Sequence, residues 1–253
     1  MNDIKLYLLD MDGTIYIGDK LIAGAKEKIE EIRQKAKLCF VTNNSSKNPT
    51  QYIEKLSKMG IDISKDEIYT SGDATIEYLK ENYAGKSVYL VGNKELAQQF
   101  EQSGIILSEQ ANIVVLGYDT ELTYQKLLIA TTKIAQGATY IATHPDFVCP
   151  CSPVYAPDVG SFIALLQKSA NRLPDVICGK PDKIMGECIK RKFKLDNASI
   201  AFIGDRLYTD ILFGNNNGFT SILVFSGETT KQDYLASSIR SSITLESIAE
   251  LVV

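Results

Sequence analysis

Tryptophan is absent from this 253-residue chain, and histidine occurs once, as His144. A single imidazole excludes most histidine-based metal centres and makes any Ser-His-Asp triad depend on that one residue. Basic charge is not in surplus: 27 Lys and Arg stand against 31 Asp and Glu, a net charge of −4. Such a balance leaves no electrostatic footprint for a nucleic acid polymer or an acidic membrane surface. Long hydrophobic runs are also missing. Runs such as Ile113–Leu116 and Phe162–Leu166 fall far short of the ~20 apolar residues a membrane span needs. Asp3, Lys5, Asp10 and Asp12 surround the first apolar run, which therefore does not read as a signal peptide. The five cysteines are an odd number, mostly in or beside apolar or helical patterns, and fit reduced thiols in the cytoplasm better than a disulfide framework. What is present in quantity is core material, at 45% hydrophobic and 23% charged residues. Any chemistry must run on carboxylates.

Short β-branched or leucine-rich runs alternate with longer helical patterns along the whole chain. The runs Ile4–Leu9, Leu38–Val41, Ser87–Val91, Ile113–Leu116, Tyr140–Ala142, Ile200–Ile203 and Ser221–Val224 read as strands. Helical spacing recurs in Ala25, Ile29, Ile32 and Ala36, in Ile53, Leu56 and Met59 after Pro49, in Leu127, Leu128, Thr131 and Ile134, and in Ile184, Cys188 and Ile189. Alternation of this kind predicts an α/β fold with a parallel sheet covered by helices on both faces. The segment His144–Pro157 is the longest that reads as loop, and long loops in compact α/β chains are more often functional than idle.

Four segments carry chemical promise. Asp10-Met11-Asp12-Gly13-Thr14 ends the first strand, where open α/β sheets bind ligands. A turn at Gly13 lets both carboxylates face one pocket as nucleophile and acid/base, as a hard-cation site, or as both. The plainer alternative is a solvated Asp-Gly turn. Gly204-Asp205-Arg206 follows another strand, with Asp210 five positions beyond Asp205. Two acidic strand ends in one sheet assemble oxygen ligands suited to Mg²⁺, whereas a helix-capping role is plausible for Asp210. Thr42-Asn43-Asn44-Ser45 offers a hydroxyl, amides and backbone N–H groups to an anion, or simply an N-cap cluster ahead of Pro49. Gly179-Lys180-Pro181 places a lysine before a helix; alone it would pass for a surface lysine. Cys149-Pro150-Cys151 with His144 invites a zinc reading, but the spacer is short and no fourth ligand is evident.

Taken together, Asp10-x-Asp12-Gly-Thr, the strand-end Thr42, Lys180 and Gly-Asp205-x-x-x-Thr-Asp210 resemble, in order, the four motifs of the haloacid dehalogenase (HAD) superfamily. The segments around Thr42, Lys180 and Asp205 look closest to its NagD-like, 4-nitrophenylphosphatase-like branch. Only 32 positions separate Asp10 from Thr42, too few for an inserted domain, whereas 138 separate Thr42 from Lys180. The resemblance thus implies a Rossmann-like HAD core, residues 1–79 plus 178–253, with an inserted α/β cap of the C2 type at residues 80–177. Two departures fall in the expected cap: Asp158-Val159-Gly160 where a glycine-rich turn is common, and His144-Pro145-Asp146 where Asn-Pro-Asp is more usual.

The resemblance further implies Mg²⁺-dependent hydrolysis of a small phosphate ester through an aspartyl-phosphate, including 4-nitrophenyl phosphate. Asp10 would be the nucleophile and Asp12 the general acid and base, protonated through burial or through the phosphate's charge. Lys180 would hold Asp10 and neutralise phosphate. Thr42 and the backbone N–H groups of Met11, Asp12, Gly13 and Asn43 would bind phosphate oxygens. Asp10, Asp12 and Asp205 would ligate Mg²⁺, with Asp210 behind them. Asn44, Asp146 and Tyr155 are further candidates for meeting the substrate. A dehalogenase does not need Asp12 or an Mg²⁺ cluster. A phosphomutase, another phosphotransferase and a non-catalytic binding module stay open at this point, as does a homo-oligomer.

Overall fold

The run Leu6-Tyr7-Leu8-Leu9 is buried at every position, the signature of a strand covered on both faces. In the computed structural model, which describes residues 3–151 and 154–253, this strand is central in a six-stranded sheet. The order across that sheet is Ile243–Leu245, Thr220–Val224, Ile200–Gly204, Leu6–Leu9, Lys37–Thr42 and Ile68–Thr70. Leu6–Leu9 pairs in parallel with Ile200–Gly204 on one side and Lys37–Thr42 on the other. The chain therefore grows first one way from the central strand and later the other way. The switch point lies between Leu6–Leu9 and Ile200–Gly204, where a crevice opens at the carboxyl ends of the strands. Both strands are followed directly by aspartates, Asp10 and Asp205.

This sheet belongs to the first of two compact units, made of the chain up to Thr42, Pro49–Tyr69 and Lys180–Val253. Its core joins Leu9, Phe40, Ile203 and Ile222 from the sheet to Ile29 and Ile32. Helix Ala25–Lys35 forms because Ala25, Ile29 and Ile32 recur on one face, and each is buried. Each such fully buried aliphatic side chain contributes roughly 1.5–3 kcal/mol of transfer free energy.

The second unit, Asn43–Asn48 with Thr70–Gly179, has its own five-stranded parallel sheet. Its order is Val176–Ile177, Thr139–Ala142, Ile113–Leu116, Ser87–Val91 and Ile106–Leu107, and its own core includes Val114, Leu116, Tyr140, Ile134 and Ile163. Four of its helices start at side-chain caps: Thr70 accepts from Asp73 N, Asn93 from Leu96 N, Thr123 from Lys126 N and Asp158 from Val159 N.

One local expectation needs revision. The segment expected as loop, His144–Pro157, contains an antiparallel hairpin of Val148–Cys151 and Val154–Pro157; Ser152 and Pro153 lie outside the described residues. Short strands with an edge proline carry too little periodicity to be read from sequence. Asp158-Val159-Gly160, one of the two departures noted above, opens helix Val159–Ala170, with Asp158 as its cap. Among the described residues no helix is long and apolar enough to cross a membrane.

Candidate active site

In the first unit, four of the expected residues converge. Lys180 is 1% exposed, and its Nζ donates to Asp10 Oδ1 at 2.6 Å and to Asp210 Oδ1 at 2.7 Å. It also lies 3.4 Å from the carbonyl of Val41, at the end of the strand that finishes with Thr42. Asp205 is 2% exposed, and its Oδ2 accepts from the backbone of Glu228 at 2.7 Å. Carboxylate oxygens of Asp10, Asp205 and Asp210 all lie within 4.8 Å of one another.

Three carboxylates thus gather around one ammonium, and the imbalance shows in the proton affinities of Asp10 and Asp205. Burial pushes the Asp10 carboxyl well above its ordinary range; Lys180 opposes this, while Asp210 and Asp205 add to it. Asp205 is pushed up to about 7, by burial first and by Asp210 second. Burial would lower the Lys180 ammonium, but Asp10 and Asp210 outweigh it and the net direction is upward.

Asp205 Oδ1 is buried and has no hydrogen-bond partner among the described residues. Leaving a buried acceptor unmade costs roughly 1–3 kcal/mol or more for a charged group. The backbone around Asp205 makes room for the carboxylate itself. Gly13 has φ +81°, and a Cβ there would come within 2.3 Å of Asp205 Oδ2; a Cβ on Gly227 would come within 2.0 Å. Two glycines therefore wedge the carboxylate from opposite stretches of chain. An unpartnered hard oxygen, surplus negative charge and a carboxylate triad together fit a divalent cation such as Mg²⁺.

Asp210 is differently employed. Its Oδ1 is taken by Lys180 and its Oδ2 by the backbone N–H of Arg206 at 3.0 Å, across the wide helical turn Leu207–Ile211. It fixes the lysine and the turn. Asp12 is exposed, with Oδ2 3.3 Å from the Tyr16 hydroxyl. The Gly13 N–H donates to Tyr16 O at 2.8 Å, so it is not free for a phosphate oxygen; what Gly13 supplies is room for Asp205. The Met11 carbonyl closes the same turn by accepting from Ile15 N at 2.8 Å.

The remaining candidates lie in the second unit. Asn43 Nδ2 donates to both carboxylate oxygens of Asp146, each at 3.2 Å. Asn44 Oδ1 is engaged by Ser46 N and Ser46 Oγ at 2.9 and 2.8 Å, a local turn. Tyr155 stands 63% exposed on the hairpin. The zinc reading finds no support, because both ring nitrogens of His144 face oxygen partners, Thr143 and Asp158.

Sequence reasoning missed the loop that braces Asp205. Ser226 Oγ donates to Gly13 O at 2.7 Å, and Glu228 accepts from Arg206 Nε at 2.9 Å and from the Tyr208 hydroxyl at 2.6 Å. The signal was available: this loop leaves the end of Thr220–Val224, one strand beyond Ile200–Gly204. It was silent because Glu228 acts on Asp205 through its backbone N–H.

Comparison with known proteins agrees with this geometry. A family profile described as haloacid dehalogenase-like hydrolase matches residues 7–106, and a second, described as HAD-hydrolase-like, matches residues 177–251. The chain is 35% identical over 255 residues to the acid sugar phosphatase of Staphylococcus aureus, covering 100% of this chain and 98% of that protein. The crystal structure of a 4-nitrophenylphosphatase from Thermotoga maritima superposes with a TM-score of 0.95 at 39% identity, over 98% of this chain and 96% of that one. NagD from Escherichia coli K-12 superposes with a TM-score of 0.91 at 28% identity, over 98% of each chain. Likeness that runs from end to end at such identity, on one fold, leads to a single assignment: the chain belongs to the haloacid dehalogenase-like hydrolase family.

Proposed function

We propose that this hydrolase cleaves phosphomonoesters of small metabolites, sugar phosphates foremost, through an aspartyl-phosphate formed on Asp10. It is a phosphatase of the haloacid dehalogenase type, like the full-length relatives named acid sugar phosphatase and 4-nitrophenylphosphatase. The observation that carries the covalent route is the strand-end Asp10, paired with Lys180 at 2.6 Å beside the open oxygen of Asp205. A cytoplasmic setting fits the odd cysteine count of the chain.

In this mechanism the ionised Asp10 attacks phosphorus, and the bond from phosphorus to the leaving oxygen breaks. Asp12 gives its proton to the departing alkoxide. Because Asp12 is exposed, burial does not hold that proton, and the charge of the bound phosphate must do so. Asp12 then accepts a proton from the water that attacks the aspartyl-phosphate, which frees inorganic phosphate and returns Asp10. Lys180 keeps Asp10 in place and offsets charge on the phosphate oxygens, while Thr42 and the N–H groups of Met11, Asp12 and Asn43 position them. Asp10, Asp205 and the backbone carbonyl of Asp12 would hold Mg²⁺, which when bound supplies charge neutralisation between the nucleophile and the phosphate dianion. Selection among esters is assigned to Asn43, Asn44, Asp146 and Tyr155.

Purified protein with Mg²⁺ should release phosphate from a panel of sugar phosphates, nucleoside monophosphates and 4-nitrophenyl phosphate. Rapid acid quench should trap one phosphoryl group on the peptide that carries Asp10. Background release across the panel would end the hydrolase reading. Transfer to a second sugar hydroxyl without free phosphate would favour a phosphomutase instead.

A further inference from the structure

The sole histidine is absorbed by none of this. His144, Ser71 and Thr143 are each 0% exposed and Asp158 is 3% exposed, all within the second unit. Ser71, His144 and Asp158 have the residue types of a nucleophilic triad, with Ser71 Oγ 3.4 Å from His144 Nδ1. They do not form one. The Ser71 hydroxyl donates to the carbonyl of Asn43, and no ester reaches a side chain with zero exposure. The cluster must do something other than nucleophilic chemistry.

Its hydrogen bonds run in one direction only. Tyr118 N, which can only donate, meets Ser45 Oγ at 2.9 Å. Ser45 Oγ is 3.1 Å from Thr143 Oγ1, and Thr143 Oγ1 is 3.0 Å from His144 Nδ1. His144 Nε2 is 2.9 Å from Asp158 Oδ1, a carboxylate oxygen that also takes the Val159 N–H at 2.7 Å. A donor at one end and a carboxylate at the other orient every hydroxyl between them. Ser45 donates to Thr143, Thr143 donates to Nδ1, and Nε2–H donates to Asp158. An imidazolium would reverse the hydroxyls and leave the Ser45 proton without an acceptor in the chain.

The same imidazole joins two pieces of the unit. On the Nδ1 side the chain runs to Ser45, in the Asn43–Asn48 segment, and Ser71 ties the Asn43 carbonyl alongside. On the Nε2 side it runs to the cap of helix Val159–Ala170, whose Gly160 N–H holds the Asp146 carbonyl at 2.8 Å. Asn43 lies on the first piece and Asp146 on the second, and they bond to each other. We propose that His144 is a positioning residue, held as the neutral Nε2–H tautomer, that cross-links these two pieces and so fixes the Asn43–Asp146 pair for substrate selection. The last part rests on the reading that Asn43 and Asp146 meet the ester; the tautomer does not.

Because the chain has one histidine, a ¹⁵N-labelled imidazole gives one unassigned but unambiguous spectrum. At neutral pH it should show a protonated Nε2 and a bare Nδ1; an imidazolium or an Nδ1–H pattern overturns the proposal. Thr143→Val removes the donor to Nδ1 with little change of shape, and His144→Gln keeps a donor toward Asp158 should His144→Ala not fold. In the folded variants KM for the best sugar phosphate should rise about tenfold while kcat stays within about twofold, and His144→Gln should recover part of that loss. 4-Nitrophenyl phosphate should be affected least. An equal loss on every substrate, or none, overturns the positioning role. If the wild-type protein turns over no phosphate ester, the functional reading fails, while the tautomer still stands or falls on its own spectrum.

Discussion

Two buried polar clusters can be compared within this chain, and they are built on opposite principles. Around Lys180, carboxylates outnumber ammonium groups, burial pushes the proton affinities of Asp10 and Asp205 up, and Asp205 Oδ1 has no partner among the described residues. Around His144, donors and acceptors follow one another in a closed sequence that ends on Asp158. The first arrangement stores unfavourable electrostatics that a bound proton or cation relieves; the second is satisfied without one. On the proposed reading, their difference separates a reacting site from a strut, although both are conspicuous clusters of titratable side chains.

The comparison breaks most sharply at Asp10. Asp10→Asn preserves volume but removes the negative charge the first cluster needs for attack. Phosphate release should fall at least about a thousandfold, with the fold intact by circular dichroism. Retention of a tenth of wild-type turnover would refute the covalent route.

Lys180→Met tests stability in the same cluster. The substitution leaves Asp10 and Asp210 without their shared cation at a fully enclosed position. Removing one member of such a buried ion pair costs about 3–5 kcal/mol, so urea midpoints of the metal-free protein should drop accordingly. An unchanged midpoint would mean the carboxylates are far better solvated than their burial implies.

A third test uses protons. Asp205 is held at about 7 in the folded state, above its ordinary value near 3.8, so between those limits the folded protein binds more protons than the unfolded chain. Stability contributed by that proton is complete below the lower limit and lost as pH rises through the upper one, a change of a few kcal/mol at most. In chelator the protein should therefore melt higher near pH 5 than near pH 7.5, Asp205→Asn should flatten that slope, and Mg²⁺ should stabilise more at the higher pH. A melting temperature that climbs with pH in chelator would contradict the excess negative charge.

Much of the first cluster was legible in the sequence because strand ends announce themselves. Asp10 and Asp205 each follow a short apolar run, and parallel pairing with Leu9 opposite Ile203 brings those two ends side by side. Lys180 was legible only in company, since a lone lysine before a helix has no distinguishing pattern. The second cluster was not legible. His144, Asp158, Ser71 and Ser45 are joined by tertiary contacts across up to 113 positions of chain, and hydroxyl residues carry no periodicity that marks them as partners. Nor did sequence separate Asp146 from Tyr155, which shared one apparent loop yet differ in surroundings.

That last difference yields the smallest expected effect. Asp146 accepts from Asn43 through both oxygens, whereas Tyr155 is mostly in solvent on the hairpin. Asp146→Ala removes the carboxylate that accepts from the Asn43 amide and loosens the hold on the segment that follows Thr42. Its kcat/KM should fall about three- to tenfold on sugar phosphates and less on 4-nitrophenyl phosphate, changing the order of substrates. Tyr155→Ala removes a side chain with few protein contacts, so it should act only where the ester's own organic part reaches it, by about threefold or less on the bulkiest substrates. Measuring kcat/KM for both variants across one panel decides between the two. If Tyr155→Ala reorders the panel more than Asp146→Ala does, selection resides in the exposed hairpin, and the buried chain through His144 supports a pair that reads nothing.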